Sequence, residues 1–494
     1  MSAGAQDTLG RQLQRAAAWR TAGFLCLSVS SYLVTVILAR SFGPAVYGVY
    51  GIVYGVLASV ELLLRLGVPQ AMVRAMGADL SGGRHHEASG ATLIILLNLV
   101  AFIALWIAAP YLAELLNIVD GARLLRLAFL DIPVFCVFLA FTNVRLGRFE
   151  YMPVGLATGL YGVARLAGVG LLAATDTLSL EAALVVNIVA SLVGVIVVIS
   201  GRAFRPAAPS LSMAGPLLAA ALPIALGEIG TEALIAIDLW MLNAVDSGVS
   251  ADLKGWYVAA LSLARAPNLM AFVLVSVLVQ SLSRAIATNQ VDDIRSLVTG
   301  CVRILLVVLL PSCVLIAVNS REILSIMFSE GYADGGRFLS LLVLSHGLFL
   351  TSMMVFQSML VGGDHAGRGA WRIYIGLLAA AVSSYLLIST YGGRAAGIGP
   401  VLSFALSAGL VATAVYRRFG FFSSTRNVCL SIALSGGVAI VSHMIEASGA
   451  WLLVEIFWLG VAYLMAAWRL GLILPTDIEW LRRKAPASPD SLQQ

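Results

Sequence analysis

Four residues are placed to do chemistry in this chain. Glu228 and Glu232, in the stretch PIALGEIGTEALIAIDLWML (223–242), stand one helical turn apart within an apolar run. Two carboxylates that close, on one face of a helix, can take up and release a proton or bind a cation. Arg165 and Arg265 each fall deep inside an apolar run. At about 1.5 Å per residue, Arg165 lies about 21 Å and Arg265 about 15 Å from the start of its run. Neither reaches a membrane surface easily by extending its side chain. A guanidinium keeps its charge and pairs bidentately with phosphate, so one buried arginine per half suits an anionic ligand such as a pyrophosphate. The structural alternative is an ion pair with Asp131, Glu228, Glu232 or Asp238. Asp131 is also a third candidate for cation coupling. Pro267 follows Arg265 by two positions and should break the helix there.

Arg20, Arg65, Arg145 and Arg303 lie near the ends of apolar runs, where snorkelling to headgroups explains them. Arg20, Arg65 and Arg145 are nevertheless further candidates for anion contact. Glu61 and Arg65 are i, i+4 neighbours and should pair within their helix. Other chemistries have little support. Neither of the two lysines, Lys254 and Lys484, sits in a phosphate-binding loop of the Gly-x-x-x-x-Gly-Lys-Ser/Thr type. There is no Asp-x-Asp motif and no Cys-x-x-Cys. Cys26, Cys136, Cys301, Cys313 and Cys429 lie within or beside apolar runs and read as small buried hydrophobes. His85-His86 has no partner cluster that would complete a metal site. The expectation is a protein without cofactor, metal or catalytic residues, coupled if at all to H+ or Na+.

The elements that must position these residues are membrane helices. Hydrophobic residues make up 60% of the 494 and charged residues 12%, about half the charged share of a soluble domain. The apolar runs are about twice as long as a barrel strand needs and lack its period-2 alternation, so the fold is all-α. We place about fourteen spans, at 19–40, 46–66, 91–113, 124–146, 151–174, 180–200, 214–243, 255–280, 297–318, 337–360, 370–390, 395–416, 427–446 and 450–471. The first is too long for a signal-peptide core and reads as a retained helix.

Basic residues set the orientation, and the net charge of +5 reflects that rather than nucleic-acid affinity. Alternate loops carry Arg11 and Arg15, Arg74 and Arg84, Arg148, Arg202 and Arg205, Arg284 and Arg295, Arg368 and Arg372, Arg417, Arg418 and Arg426, then Arg482, Arg483 and Lys484. The intervening loops carry few. Both termini are therefore expected in the cytoplasm.

The chain also carries an internal repeat. GVYGIVYGVLASVELLLRLG from Gly48 can be laid on GWYVAALSLARAPNLMAFVL from Gly255, which matches Gly48 with Gly255 and Tyr50 with Tyr257. Segments 177–194 and 391–409 match at a similar offset. This predicts a six-helix lobe at 1–200, a cytoplasmic linker at 201–213, a second six-helix lobe at 214–420, and two additional helices with a tail at 421–494. Two such lobes related by an axis along the membrane normal hold substrate between them.

ILARSFGPAVYGVYGIVYGVLASVELLLRLGVPQAMVR (37–74) resembles the first hairpin of the polysaccharide flippases, Wzx-like members of the multidrug/oligosaccharidyl-lipid/polysaccharide (MOP) exporter superfamily. The matching residues are Ala39-Arg40, Phe42-Gly43-Pro44, Tyr47-Gly48, Leu66-Gly67 and Arg74. Segments 255–270, 322–342 and 391–407 are similar to later parts of that family. The resemblance implies a non-enzymatic flippase of the bacterial inner membrane. Its cargo would be a polyprenyl-pyrophosphate-linked oligosaccharide, such as an O-antigen, capsule or exopolysaccharide repeat unit, carried by alternating access. Its partners would be membrane lipids and a polysaccharide polymerase or export machinery, and no nucleic acid. The rival readings are a cation-coupled drug exporter or a lipid II flippase of the same superfamily. A membrane polymerase or ligase is a more distant rival, disfavoured by short outer loops, of which the longest runs from about 319 to 336.

Overall fold

The computed structural model describes residues 3–65, 68–78, 83–118, 120–200, 211–245, 250–268, 278, 282, 285–286, 290–361, 371–420, 424–445 and 447–473. Among these residues every regular element is helical. Eleven helices there are long and apolar enough to cross a membrane, so this is a multi-pass membrane protein. The longest of them, Ala18–Glu61, covers the first expected span and most of the second. The seventh expected span falls on α8 (Leu211–Val245). The eighth begins as α9 (Ala251–Ala264) and runs on largely outside the described residues. The expected count of about fourteen therefore stands above the eleven found among the described residues.

The corner between the first two spans has a clear cause. α1 (Ala3–Leu64) departs from helical geometry at Gly43, with φ 68° and ψ 173°. That conformation is open to glycine and strained for residues with a Cβ. Pro44 follows, where its missing N–H costs nothing at the start of a new helical segment.

The chain divides into two compact units. Among the described residues, the first comprises 3–41 and those of 50–232. Here α1 is joined by α2 (Val68–Ala78), α3 (Gly83–Leu115), α4 (Gly121–Phe129), α5 (Asp131–Gly147), α6 (Tyr151–Ala174) and α7 (Leu180–Ile199). Met72, Met76, Ile94, Phe135, Leu139 and Val144 form a core where α2, α3 and α5 meet. A small-residue face on α6 lets α1 approach backbone to backbone. A Cβ on Gly155 would stand 2.2 Å from the Trp19 carbonyl oxygen, and one on Gly162 would stand 2.9 Å from Leu27 Cα. The Gly155-x-x-x-Gly159 motif is thus part of a packing surface. α7 starts on Ser179, whose hydroxyl accepts from the Ala182 amide at 3.1 Å.

The second unit comprises residues 42–49 and 233–484. Ser250 caps α9 by accepting from the Leu253 amide at 3.3 Å. α9 stops at Ala264, and the chain turns through Arg265 to Pro267, as the proline predicts. Two membrane helices of this unit contain π-helical segments, Leu305–Leu309 and Val343–Leu350. Such segments interrupt the regular ladder and recur at functional sites.

Candidate functional site

The first unit gathers polar side chains from four helices into its interior. Three of the helices contribute residues spaced by whole turns, so that they share one face. The second half of α1 supplies Tyr50, Tyr54 and Glu61. α5 supplies Asp131, α6 supplies Tyr161 and Arg165, and α7 supplies Asn187 and Ser191.

Arg165 is the centre of this group and is 6% exposed. Its Nη1 donates to the Tyr54 hydroxyl at 2.8 Å and its Nη2 to the Tyr50 hydroxyl at 3.0 Å. The guanidinium carbon lies 4.4 Å from the centre of the Tyr54 ring, which stacks on Tyr50 with centroids 5.6 Å apart. Ring faces and hydroxyl oxygens thus stabilise the cation without neutralising it. Among the described residues Arg165 makes no ion pair with a carboxylate, so the structural alternative drawn from the sequence is not the arrangement found there.

A second chain of contacts starts one turn away. The Tyr161 hydroxyl donates to Asn187 Oδ1 at 3.1 Å, and Asn187 Nδ2 donates to Asp131 Oδ2 at 2.7 Å. Asp131 is 1% exposed and lies beside Glu61, which is 8% exposed. Glu61 reaches Arg65 at 3.8 Å, the i, i+4 pair expected from the sequence. Arg65 itself is exposed, with its guanidinium 4.5 Å from the Phe135 ring centre.

The remaining expected site residues are placed as follows. Arg20 is exposed on α1. Arg145 is buried and its three nitrogens are all engaged: Nε to the Val198 carbonyl at 2.8 Å, Nη1 to Glu150 Oε2 at 2.8 Å, and Nη2 to the Ser200 carbonyl at 2.7 Å. These two carbonyls are acceptors at the end of α7 that no further turn of helix satisfies. Glu232 is half-buried on α8, and the side chain of Glu228 lies outside the described residues.

In the second unit, Arg265 is half-buried at the end of α9, with Nη2 3.4 Å from the Ile235 carbonyl. His346, in the second π-helical segment, brings Nε2 to within 3.4 Å of the same carbonyl and Nδ1 to within 3.0 Å of the Ser345 hydroxyl. Its ring meets Phe404 edge-on at 4.9 Å. The Tyr257 hydroxyl donates to Asp238. The repeat-matched tyrosines therefore do different work: Tyr50 holds an arginine and Tyr257 holds a carboxyl group.

Sequence reasoning singled out Arg165 and Arg265 by charge and depth, and Asp131 as an ion-pair or cation-coupling candidate. It missed Tyr50 and Tyr54 as arginine partners, Tyr161, Asn187 and His346. Tyr50/Tyr54, Tyr161/Arg165 and Asn187/Ser191 are all i, i+4 polar pairs within apolar runs, a signal that could have singled them out.

The family model for polysaccharide biosynthesis proteins matches residues 15–286, more than half of the chain. This chain belongs to that family. As a polysaccharide biosynthesis protein it has the fold of the MOP superfamily. The lipid II flippase MurJ, in an inward closed conformation, aligns over 91% of this chain and 97% of its own, with TM-score 0.73 and 13% identity. An inward-facing MATE family multidrug resistance transporter aligns over 80% and 94%, with TM-score 0.64 and 14% identity. A MOP superfamily transporter from Pyrococcus furiosus aligns over 83% and 96%, with TM-score 0.59 and 12% identity. No curated protein sequence matches this chain. The polysaccharide family and the transporter fold agree with the resemblance first carried by residues 37–74.

Proposed function

We propose that this family member is a non-enzymatic flippase that moves a polyprenyl-pyrophosphate-linked oligosaccharide from the cytoplasmic to the outer leaflet of a bacterial inner membrane. The observation that carries this reading is Arg165: a buried guanidinium whose partners are neutral hydroxyls, which leaves its positive charge for an anion. A pyrophosphate is the charged group that such a cargo would present, and a guanidinium meets it with paired hydrogen bonds. Arg265 is its counterpart from the other half of the chain, with Arg65 and Arg20 nearer the cytoplasmic entrance. The domain plan is two six-helix lobes at 1–200 and 214–420 around a linker at 201–213, with the segment 421–494 as an addition. Both termini are cytoplasmic. Coupling to H+ or Na+ runs through Asp131, Glu228 or Glu232. Partners in the membrane are the lipid-linked cargo and a polymerase or export machinery.

MurJ, a lipid II flippase, has this fold, which supports a lipid-linked cargo. The drug-exporter reading from the MATE neighbours is the alternative; a buried arginine hydrogen-bonded only by neutral hydroxyls argues against a cationic drug. The test is Arg165→Ala, Arg165→Lys, Arg265→Ala and Arg265→Lys, with membrane abundance and polysaccharide export measured together. Loss of one charge-assisted contact of about 1.5–3 kcal/mol should weaken substrate binding roughly ten- to a hundredfold. Lysine should rescue in part, since it keeps the charge and loses the fork. Normal export from both alanine variants at normal abundance would eliminate the reading.

A further inference from the structure

Asp131 and Glu61 raise a question that the anion site leaves open. Two carboxyl groups from different helices, α5 and α1, lie side by side in the interior of the first unit. Asn187 donates to one oxygen of Asp131, and Arg65 stands near one oxygen of Glu61. The other two oxygens, Glu61 Oε1 and Asp131 Oδ1, are buried and have no donor among the described residues. Ser191, fully buried on α7, turns its hydroxyl toward Asp131. Two carboxyl oxygens left without a close donor at one buried point are costly unless something supplies a hydrogen or a cation.

We propose that Glu61, Asp131, Asn187 and Ser191 form a single-proton site, in which one exchangeable proton is shared between the Glu61 and Asp131 carboxyl groups. A carboxyl group that carries the proton becomes a donor as well as an acceptor, and its neighbour supplies the acceptor. One proton also removes one of two like charges held together away from water. The surroundings favour a proton over a metal cation. Arg165 and Tyr161 from α6, Tyr54 and Arg65 from α1 and Asn187 from α7 face the pair. Two of these groups are cationic and oppose any added positive charge, but a proton shared between two oxygens needs no further ligands, whereas a sodium ion would need several oxygen ligands around it. Because Arg165 acts electrostatically on both carboxyl groups, the occupancy of this site and the anion site are linked, which gives a proton gradient a place to act on transport. The site deepens the proposed cation coupling, and names Glu61 as the partner of Asp131.

The test needs no substrate. The purified full-length protein, reconstituted in lipid nanodiscs, is taken through a pH titration by infrared difference spectroscopy, which reads the carbonyl band of a protonated carboxylic acid. Wild type should show one titrating band assignable to this site. Glu61→Gln and Asp131→Asn should each abolish that same band, because the proton belongs to both. Replacing choline by sodium at fixed pH should leave it unchanged. Bands that persist in both variants, or two separate bands each lost in one variant, would overturn the shared proton. A band removed by sodium at fixed pH would make this a sodium site instead. Where either substitution prevents folding, Glu61→Asp keeps the falsifiability: it should retain the band with a displaced midpoint, and an unaltered midpoint would count against the proposal. Since no lipid-linked oligosaccharide enters the measurement, failure of the cargo reading leaves its outcome untouched, and failure here leaves the role of Arg165 standing.

Discussion

Gly48 and Gly255 pack backbone against backbone within the second unit. A Cβ on Gly48 would stand 2.7 Å from the Gly255 amide nitrogen, and a Cβ on Gly255 would stand 1.8 Å from the Pro44 carbonyl oxygen. These are the two glycines that the internal repeat matches. Tyr47, on the same short segment, sits among Phe328 and Tyr332 at ring distances of 6.3 Å and 6.1 Å, and the Trp256 indole donates to the Gly331 carbonyl at 2.7 Å. Backbone, rather than flexible side chain, faces each missing Cβ, so there is little that can yield.

Gly255→Ala should therefore destabilise the protein by about 1–3 kcal/mol, the usual range for overpacking, and Gly255→Leu by more. The measurement is the thermal midpoint of the purified protein in detergent. Gly436→Ala is the control, since nothing lies within 4 Å of a Cβ there. Equal midpoints for the two alanine variants would contradict the packing.

The stacked pair Tyr50 and Tyr54 should matter through their hydroxyls. Phenylalanine at both positions keeps the rings and removes both acceptors from Arg165. We expect normal membrane abundance and at least roughly tenfold weaker binding of geranyl pyrophosphate, about the effect of losing one charge-assisted contact. Binding by equilibrium dialysis that matches wild type would show that the tyrosines do not position Arg165 for an anion.

Arg145 should behave as a structural residue in spite of its charge. Its guanidinium joins α5 to the end of α7 and to Glu150. Arg145→Ala removes this donor from Glu150 and from two helix-terminal carbonyls, a loss of about 1–3 kcal/mol. A lowered thermal midpoint with export per molecule unchanged is the expected result. Export per molecule reduced tenfold at an unchanged midpoint would instead make Arg145 an anion ligand.

The charge alternation predicts sidedness. Ser41, exposed beside the Gly43 corner, is expected outside, and Thr425, exposed beside Arg426, is expected in the cytoplasm. In whole cells, cysteine at Ser41 should react with a membrane-impermeant thiol reagent above the background of the native cysteines, and cysteine at Thr425 should not. The reverse pattern would overturn the topology.

Much of this fold was legible because a membrane imposes one-dimensional rules. Length and apolarity mark a span, Gly43-Pro44 marks a corner, Pro267 marks the interruption near α9, and the Glu61–Arg65 pair follows from helical spacing alone. The cost of charge in hydrocarbon similarly makes depth informative, which is why Arg165 stands out in the sequence. Each of these signals is contained in a single segment.

Partner choice is not contained in a segment. The sequence offered Arg165 four carboxylates, and the folded first unit gives it two tyrosines from α1. It offered Glu61 only its own neighbour Arg65, and folding set Asp131 beside it. The sequence by itself determined that this chain crosses the membrane many times, that it turns at Gly43-Pro44, and which charges fall within apolar runs. Only the tertiary structure decided which of those charges meet. That depends on the rotation and depth of each helix against its neighbours, set by close-packed faces such as Gly155 and Gly162 against α1, and a rotation of one residue would point each polar pair elsewhere.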